Sequence, residues 1–375
     1  MRNESIIQAS AAIAARKQAI GGKKILVGFD GFVDEIIHPV ATRKNNREFQ
    51  RVQTIAEFAG RIASAAGKSA NIELVPMVEK AGGNGPLMAM AAAGMGAQVT
   101  CVGMLGYPDL HPVFKPLQGI CERVITVGIP GHTDALEFDD GKLMLGKLHT
   151  IKDMNWANLT ARVGEAALRD LLFKSDMVGC TNWTMLTEMG EIIDQIVKLA
   201  PPGCRAKYFF DLADPEKRTR ADLERVLGQI SALAAKTGVI LGLNQRESEQ
   251  VSEVLGLADT PEESAQGNEA AAKRIRDRMG LHGVVVHAVR SAGAAVGGLT
   301  AGIEGPFCPK PKLSTGAGDH FNGGFCAGIL ADLSIAQALY AGVGASGWYV
   351  RNAKSPGLDD VVGLLKTWGE GNLKD

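Results

Sequence analysis

The densest chemistry in the sequence lies in the run Ser314-Thr315-Gly316-Ala317-Gly318-Asp319-His320-Phe321-Asn322, which opens onto an apolar helical stretch through Leu330. Glycines at 316 and 318 let successive backbone N–H groups converge without a Cβ in the way. The N-terminus of the helix that follows adds partial positive charge, so this turn suits an anion such as phosphate. Asp319 falls in the first helical turn beside that anion, where a carboxylate can take a proton from an attacking hydroxyl. The alternative is a tight loop in which Asp319 merely complements the helix dipole.

Four other segments carry polar groups at places where ligands bind. Ala81-Gly82-Gly83-Asn84-Gly85-Pro86 reads as a turn into a helix, with Asn84 as a cap and Pro86 in the first turn. Gly28-Phe29-Asp30-Gly31-Phe32-Val33-Asp34 ends the first apolar strand, and Asp30 or Asp34 can accept hydrogen bonds from ligand hydroxyls there. Asn244 with Glu247 three residues later has the form of a capping box, which any helix can use. Asp211 and Asp214-Pro215 read as ordinary loop chemistry after a strand, and His287, inside VVVHAV, reads as a core histidine.

These residues need a frame that brings them together. Apolar runs rich in Val and Ile recur at 24–29, 98–104, 123–129, 176–180, 208–211, 239–243 and 284–289. Their hydrophobicity is continuous rather than alternating, which suits parallel strands covered on both faces. Helical patterns lie between them at 86–94, 158–173, 185–199, 222–235 and 268–279, and an amphipathic helix is expected over 5–20. The fold expected is α/β: a three-layer α/β/α sandwich with a mostly parallel central sheet, in one domain over 1–375. Residues 72–80 and 134–147 alternate instead, the second around an Asp140-Gly141 turn. They predict a small inserted β-sheet lid drawn from about 32–49, 70–82 and 132–149. The stretch 257–268 is the most loop-like.

Composition narrows the function. With 46% hydrophobic and 22% charged residues, the 375-residue chain can build a large core and is not disordered. Forty basic against forty-one acidic residues give no electrostatic reason to expect nucleic acid or a membrane surface as a partner. The six cysteines form no CxxC pair, as expected of buried thiols in a reducing compartment, and no apolar stretch is long enough to cross a bilayer. A cytoplasmic protein is the expectation.

Taken in order, the segments from about residue 24 to 357 resemble the ribokinase-like (PfkB) carbohydrate kinase family. The likeness rests on Gly82-Gly83-Asn84 with its helix and, above all, on Gly316-Ala317-Gly318-Asp319, which matches the family's G-x-G-D signature. The resemblance implies a kinase that transfers the γ-phosphate of ATP to a primary hydroxyl of a small sugar, with Mg2+. Asp319 would be the base, and the N–H groups of Gly316, Ala317 and Gly318 would meet the charge of the transferring group. Asp34, Gly83 and Asn84 would hold the sugar. Asn244 and Glu247 fit the family's N-x-x-E element, with Glu247 acting on the metal through water, and the lid would exclude water and pair two copies as a homodimer.

Three places depart from the family. Leu313 stands where it usually keeps an acidic residue for a monovalent cation, which places K+ activation in doubt. Leu87, after Pro86, replaces a sugar-contacting Asn. The nucleotide loop Thr-x-Gly-x-x-Gly reads Ala288-Val289-Arg290-Ser291-Ala292-Gly293, so only Gly293 survives, and Arg290 either contacts phosphate or blocks the usual nucleotide pose. An ADP-dependent sugar kinase, a nucleoside kinase and a non-catalytic sugar or nucleotide sensor on the same fold are the competing readings.

Overall fold

A computed structural model describes residues 2–257 and 263–374. Its strands, in chain order, are β1 Lys24–Phe29, β2 Phe32–Arg43, β3 Phe49–Arg51, β4 Leu74–Gly82, β5 Gln98–Gly103, β6 Arg123–Thr126, β7 Gly131–Phe138 and β8 Gly141–Lys147. They continue with β9 Met177–Cys180, β10 Lys207–Asp211, β11 Val239–Asn244, β12 Gly283–His287, β13 Ser291–Val296 and β14 Leu299–Glu304. Nine of them form one sheet in the order β14-β13-β12-β11-β10-β9-β1-β5-β6. From β12 to β6 neighbouring strands run parallel, and a β12–β13–β14 antiparallel meander finishes one edge.

Continuous apolar strands follow from cover on both faces. Along β1, Ile25 and Val27 join one buried cluster with Met88, Phe321, Phe325 and Leu339, while Leu26 joins the opposite cluster with Leu172, Ile193 and Leu227. This gives the expected three-layer α/β sandwich of ribokinase-like type. The second sheet holds β4, β2, β7 and β8, with β3 on the outer part of β2, and lies beyond the carboxyl ends of the parallel strands. It is the small lid sheet.

Several element boundaries differ from the sequence expectation. The helix expected over 158–173 is two, Trp156–Val163 and Glu165–Lys174, because Gly164 between them takes φ +88°. The N-terminal helix likewise divides at Arg16. The expected loop 257–268 is helical from Ala265, where Ser264 caps the helix Ala265–Met279, and residues 258–262 of that stretch lie outside those described. The β13–β14 hairpin and the helices Ile335–Asn352 and Leu358–Gly369 had no expectation attached.

The hairpin also relocates Gly293. It lies inside β13, paired with Val286 and Gly302, and a Cβ there would fall on the backbone of Asn268 and Glu269 in the helix behind. Its lack of a side chain serves sheet–helix packing rather than a nucleotide loop. Gly293→Ala is therefore expected to destabilise the fold by about 2 kcal/mol through overpacking, seen in urea unfolding, with the nucleotide KM unchanged.

Candidate active site

All the parallel strands end on one edge, and the polar groups after them converge there. The helix Ala317–Leu330 starts behind that edge. Its cap, Gly316, sits at φ +92°, a left-handed conformation that glycine adopts freely, and it has no side chain to satisfy the first-turn N–H groups. The Ala317 N–H donates to Ser314 O at 3.1 Å and closes the turn. Among the described residues no acceptor meets the N–H groups of Gly316 and Gly318. The Ala317 N–H, expected as one of three anion donors, is thus engaged by the turn's own carbonyl.

Asp319 follows at once, 6% exposed, and accepts a hydrogen bond from Asn84 Nδ2 at 2.9 Å. Burial raises its pKa well above the usual carboxylate range, and the nearby charge of Asp211 raises it further. Asn84 arrives there through a tight turn in which Gly83 has φ +97°. Asp30 holds that turn: it is fully buried and accepts from Asn84 N at 2.8 Å, Gly85 N at 2.7 Å and Asn182 Nδ2 at 2.7 Å.

The structure separates the two candidate aspartates. Asp30 is occupied by protein donors and braces the turn. Asp34 lies on β2, on the lid face that also carries its register partners Lys80 and Thr133. Gly82 leaves the space beside the Asp34 carboxylate that a Cβ would fill. Burial raises the Asp34 pKa, while a hydrogen bond with Thr133 and the charge of Lys80 pull it back.

At the other end, the Asn244 side chain accepts from Glu247 N at 2.9 Å, and Glu247 accepts from Asn244 N and Asp214 N, each at 2.8 Å. The capping box is real, and it also aims a buried carboxylate at the site. Asp211, read from sequence as loop chemistry, ends β10 beside it and accepts from Asn322 Nδ2 at 2.6 Å. Burial and the charge of Glu247 both raise the Asp211 pKa. Asn322 Oδ1 is buried with no hydrogen-bond partner. Oxygen donors that repel one another, with one amide oxygen unmatched, fit a hard divalent cation such as Mg2+. The signal for Asp211 was an acid at the carboxyl end of a buried parallel strand, and Asn322 stands one helical turn after Asp319.

A cavity of about 460 Å³ opens beside the turn, lined by residues that include Asn244, His287, Val289, Pro306, Gly318 and Val350. Its mostly apolar wall suits a nucleotide base. His287 belongs to this wall rather than to the core as expected; its ring packs at a 37° tilt on Phe321 with centroids 4.9 Å apart, and burial pushes its pKa down to about 4. Arg290 lies next to the cavity, its guanidinium 3.6 Å over the Phe307 ring. Gly293 takes no part in the lining.

The sequence profile of the prokaryotic ketohexokinase family matches residues 5–368. The chain belongs to that family. It is a carbohydrate kinase, which sets aside the sensor and nucleoside-kinase readings. A ketohexokinase from Haloferax volcanii is 28% identical over 357 residues, covering 92% of this chain and 91% of the relative. Among solved structures, a carbohydrate kinase from Agrobacterium tumefaciens has the same fold, with TM-score 0.59 and 20% identity over 92% of this chain and 97% of that one. Ribokinase from Cryptococcus neoformans in complex with ADP aligns with TM-score 0.63 and 16% identity, over 91% and 99% of the two chains. Among the described residues of this kinase, no helix is long and apolar enough to cross a membrane.

The carboxylate cluster gives a signed test. Because the Asp211 charge raises the pKa of Asp319, Asp211→Asn is expected to lower it. Titrating the Asp319 carboxyl by 13C NMR in both proteins checks this, and an unmoved midpoint contradicts it.

Proposed function

We propose that this kinase transfers the γ-phosphate of ATP to a primary hydroxyl of a ketohexose, with Asp319 as the base. The observation that carries the reading is the 2.9 Å bond from Asn84 to Asp319, which joins the sugar-side turn to the anion turn. Asp34, Gly83 and Asn84 hold the sugar hydroxyls and bring one of them to Asp319. Asp319 takes the hydroxyl proton as the oxygen attacks phosphorus, and the N–H groups of Gly316 and Gly318 meet charge on the phosphoryl oxygens. When bound, Mg2+ neutralises charge on the nucleotide phosphates. Asp211 and Asn322 would hold it, with Glu247 acting through water because both its oxygens already accept N–H bonds.

The raised pKa of Asp319 fixes the direction of the pH response. A base must be deprotonated to act, so kcat/KM falls as pH drops, and it does so at higher pH than for an ordinary carboxylate. The apolar cavity takes the nucleotide base, with Asn244 and His287 on its wall. Arg290, laid on Phe307, and Gly293, inside the hairpin, are assigned no nucleotide contact. Over the sugar, the lid sheet closes out water. Its exposed Met77, Val78, Met144 and Leu145 support a contact between two copies.

Coupled assays with ATP or ADP as donor over a panel of ketohexoses, aldohexoses and pentoses test the reading. ATP with a ketohexose is expected to give the highest kcat/KM, and Asp319→Asn to lower kcat by roughly 10²–10⁴-fold. Unchanged turnover in Asp319→Asn contradicts the base assignment.

Leu313 offers no side-chain oxygen to a cation. Replacing K+ in the assay by tetramethylammonium is therefore expected to leave turnover unchanged. A K+-dependent rate would place a cation ligand elsewhere.

A further inference from the structure

The anion turn is gripped from behind by a pair of stacked rings. Tyr349 Oη–H donates to Thr315 O at 2.9 Å, and His320 Nδ1 lies 2.7 Å from Gly316 O. A carbonyl oxygen only accepts, so Nδ1 carries a hydrogen and donates it. A neutral imidazole carries a single N–H, here on Nδ1. Nε2 is then an acceptor, and Ser355 Oγ–H, 2.8 Å away, donates to it. The His320 and Tyr349 rings stack with centroids 3.7 Å apart and planes 18° apart. They come from different elements, His320 from the helix Ala317–Leu330 and Tyr349 from Ile335–Asn352, with Ser355 just beyond. His320 is 0% and Tyr349 5% exposed.

The consequence follows from the planarity of the peptide unit. The Thr315 carbonyl and the Gly316 N–H belong to one rigid plane, and the Gly316 carbonyl and the Ala317 N–H to the next. Fixing each carbonyl fixes the N–H at the other end. Gly316 has no side chain to resist rotation of these planes, so the constraint has to come from neighbours. Donors aimed before the reaction cost no reorganisation during it.

We propose that Tyr349 and His320, the latter set by Ser355, are positioning residues: Tyr349 aims the Gly316 N–H at the transferring phosphoryl group through the Thr315 carbonyl, and His320 holds the Gly316–Ala317 peptide plane from which the helix carrying the Gly318 N–H starts. This rests on the assignment of that turn as the anion site under the proposed function. Neither ring contacts the reacting atoms in this scheme; each acts through a backbone carbonyl.

The test compares Tyr349→Phe, His320→Leu and His320→Asn with Asp319→Asn in the full-length kinase. Tyr349→Phe removes one hydroxyl and keeps the stack, and kcat is expected to fall roughly tenfold with both KM values held within about twofold. His320→Leu is expected to lower kcat at least as much. His320→Asn, whose amide can place an N–H where Nδ1 stands, is expected to recover kcat to within about threefold of the parent. If Tyr349→Phe and His320→Leu keep the parental kcat, whatever their melting temperatures, the rings are only structural and the proposal fails. It also fails if His320→Asn is no better than His320→Leu. Asp319→Asn separates this from the underlying assignment: full turnover in that variant overturns the site itself, whereas an inactive Asp319→Asn beside fully active ring variants overturns the clamp alone.

Discussion

Four carboxylates, Asp30, Asp211, Glu247 and Asp319, are buried together where the parallel strands end. The groups that act on them are amides, backbone N–H groups, one another and, at Glu247, the Asp214 charge. Unpaired negative charge out of water is costly, so each must bind a proton, accept several hydrogen bonds or face a cation. The surroundings supply the second solution first. Asp30 takes three donors and thereby fixes the Gly83 turn; Glu247 takes two N–H bonds and thereby fixes the start of its helix. Asp211 and Asp319 are left with an amide donor each from Asn322 and Asn84, and Asp211 has one backbone N–H besides. Under the proposed function, a cation and a substrate proton would meet their remaining demand.

Much of this was legible in the residues. Continuous apolar runs gave the parallel sheet because both of its faces are covered, and alternation in 72–80 and 134–147 gave the lid because one face is open. The Gly316-Ala317-Gly318-Asp319 run announced its turn because glycine at positive φ and a helix start are both local features. Residue chemistry alone left Asp30 and Asp34 equivalent, since both follow β1 within a few residues, and the family resemblance picked out Asp34. Only the three-dimensional arrangement shows that Asp30 is consumed by the turn of another segment.

What escaped the sequence was non-local. Asp211 looks like any acid before a loop until Glu247, 36 positions later in the chain, is placed beside it. His287 sits in a run so apolar that core burial was the natural reading, yet β12 ends at His287, and its ring forms part of the cavity wall. The nucleotide-loop pattern was sought across 288–293, but Ser291 already begins the antiparallel strand β13, one in from the sheet edge, whose Gly293 is spent on packing.

The groups proposed to hold the sugar and those proposed to hold the nucleotide rest on different parts of the chain. Asp30, Asp34 and the Gly83 turn come from the first 85 residues, whereas Asn244, His287 and the Gly316 turn come from the last 140 or so. A side-chain hydrogen bond, Asn84 to Asp319, joins the two turns directly. On the proposed function, acceptor choice and donor choice are therefore separable traits in this architecture. Substitutions on the β11–β14 side can re-tailor the wall around the nucleotide while the grip on the sugar is inherited intact, provided the asparagine and the aspartate that meet in the middle stay in step.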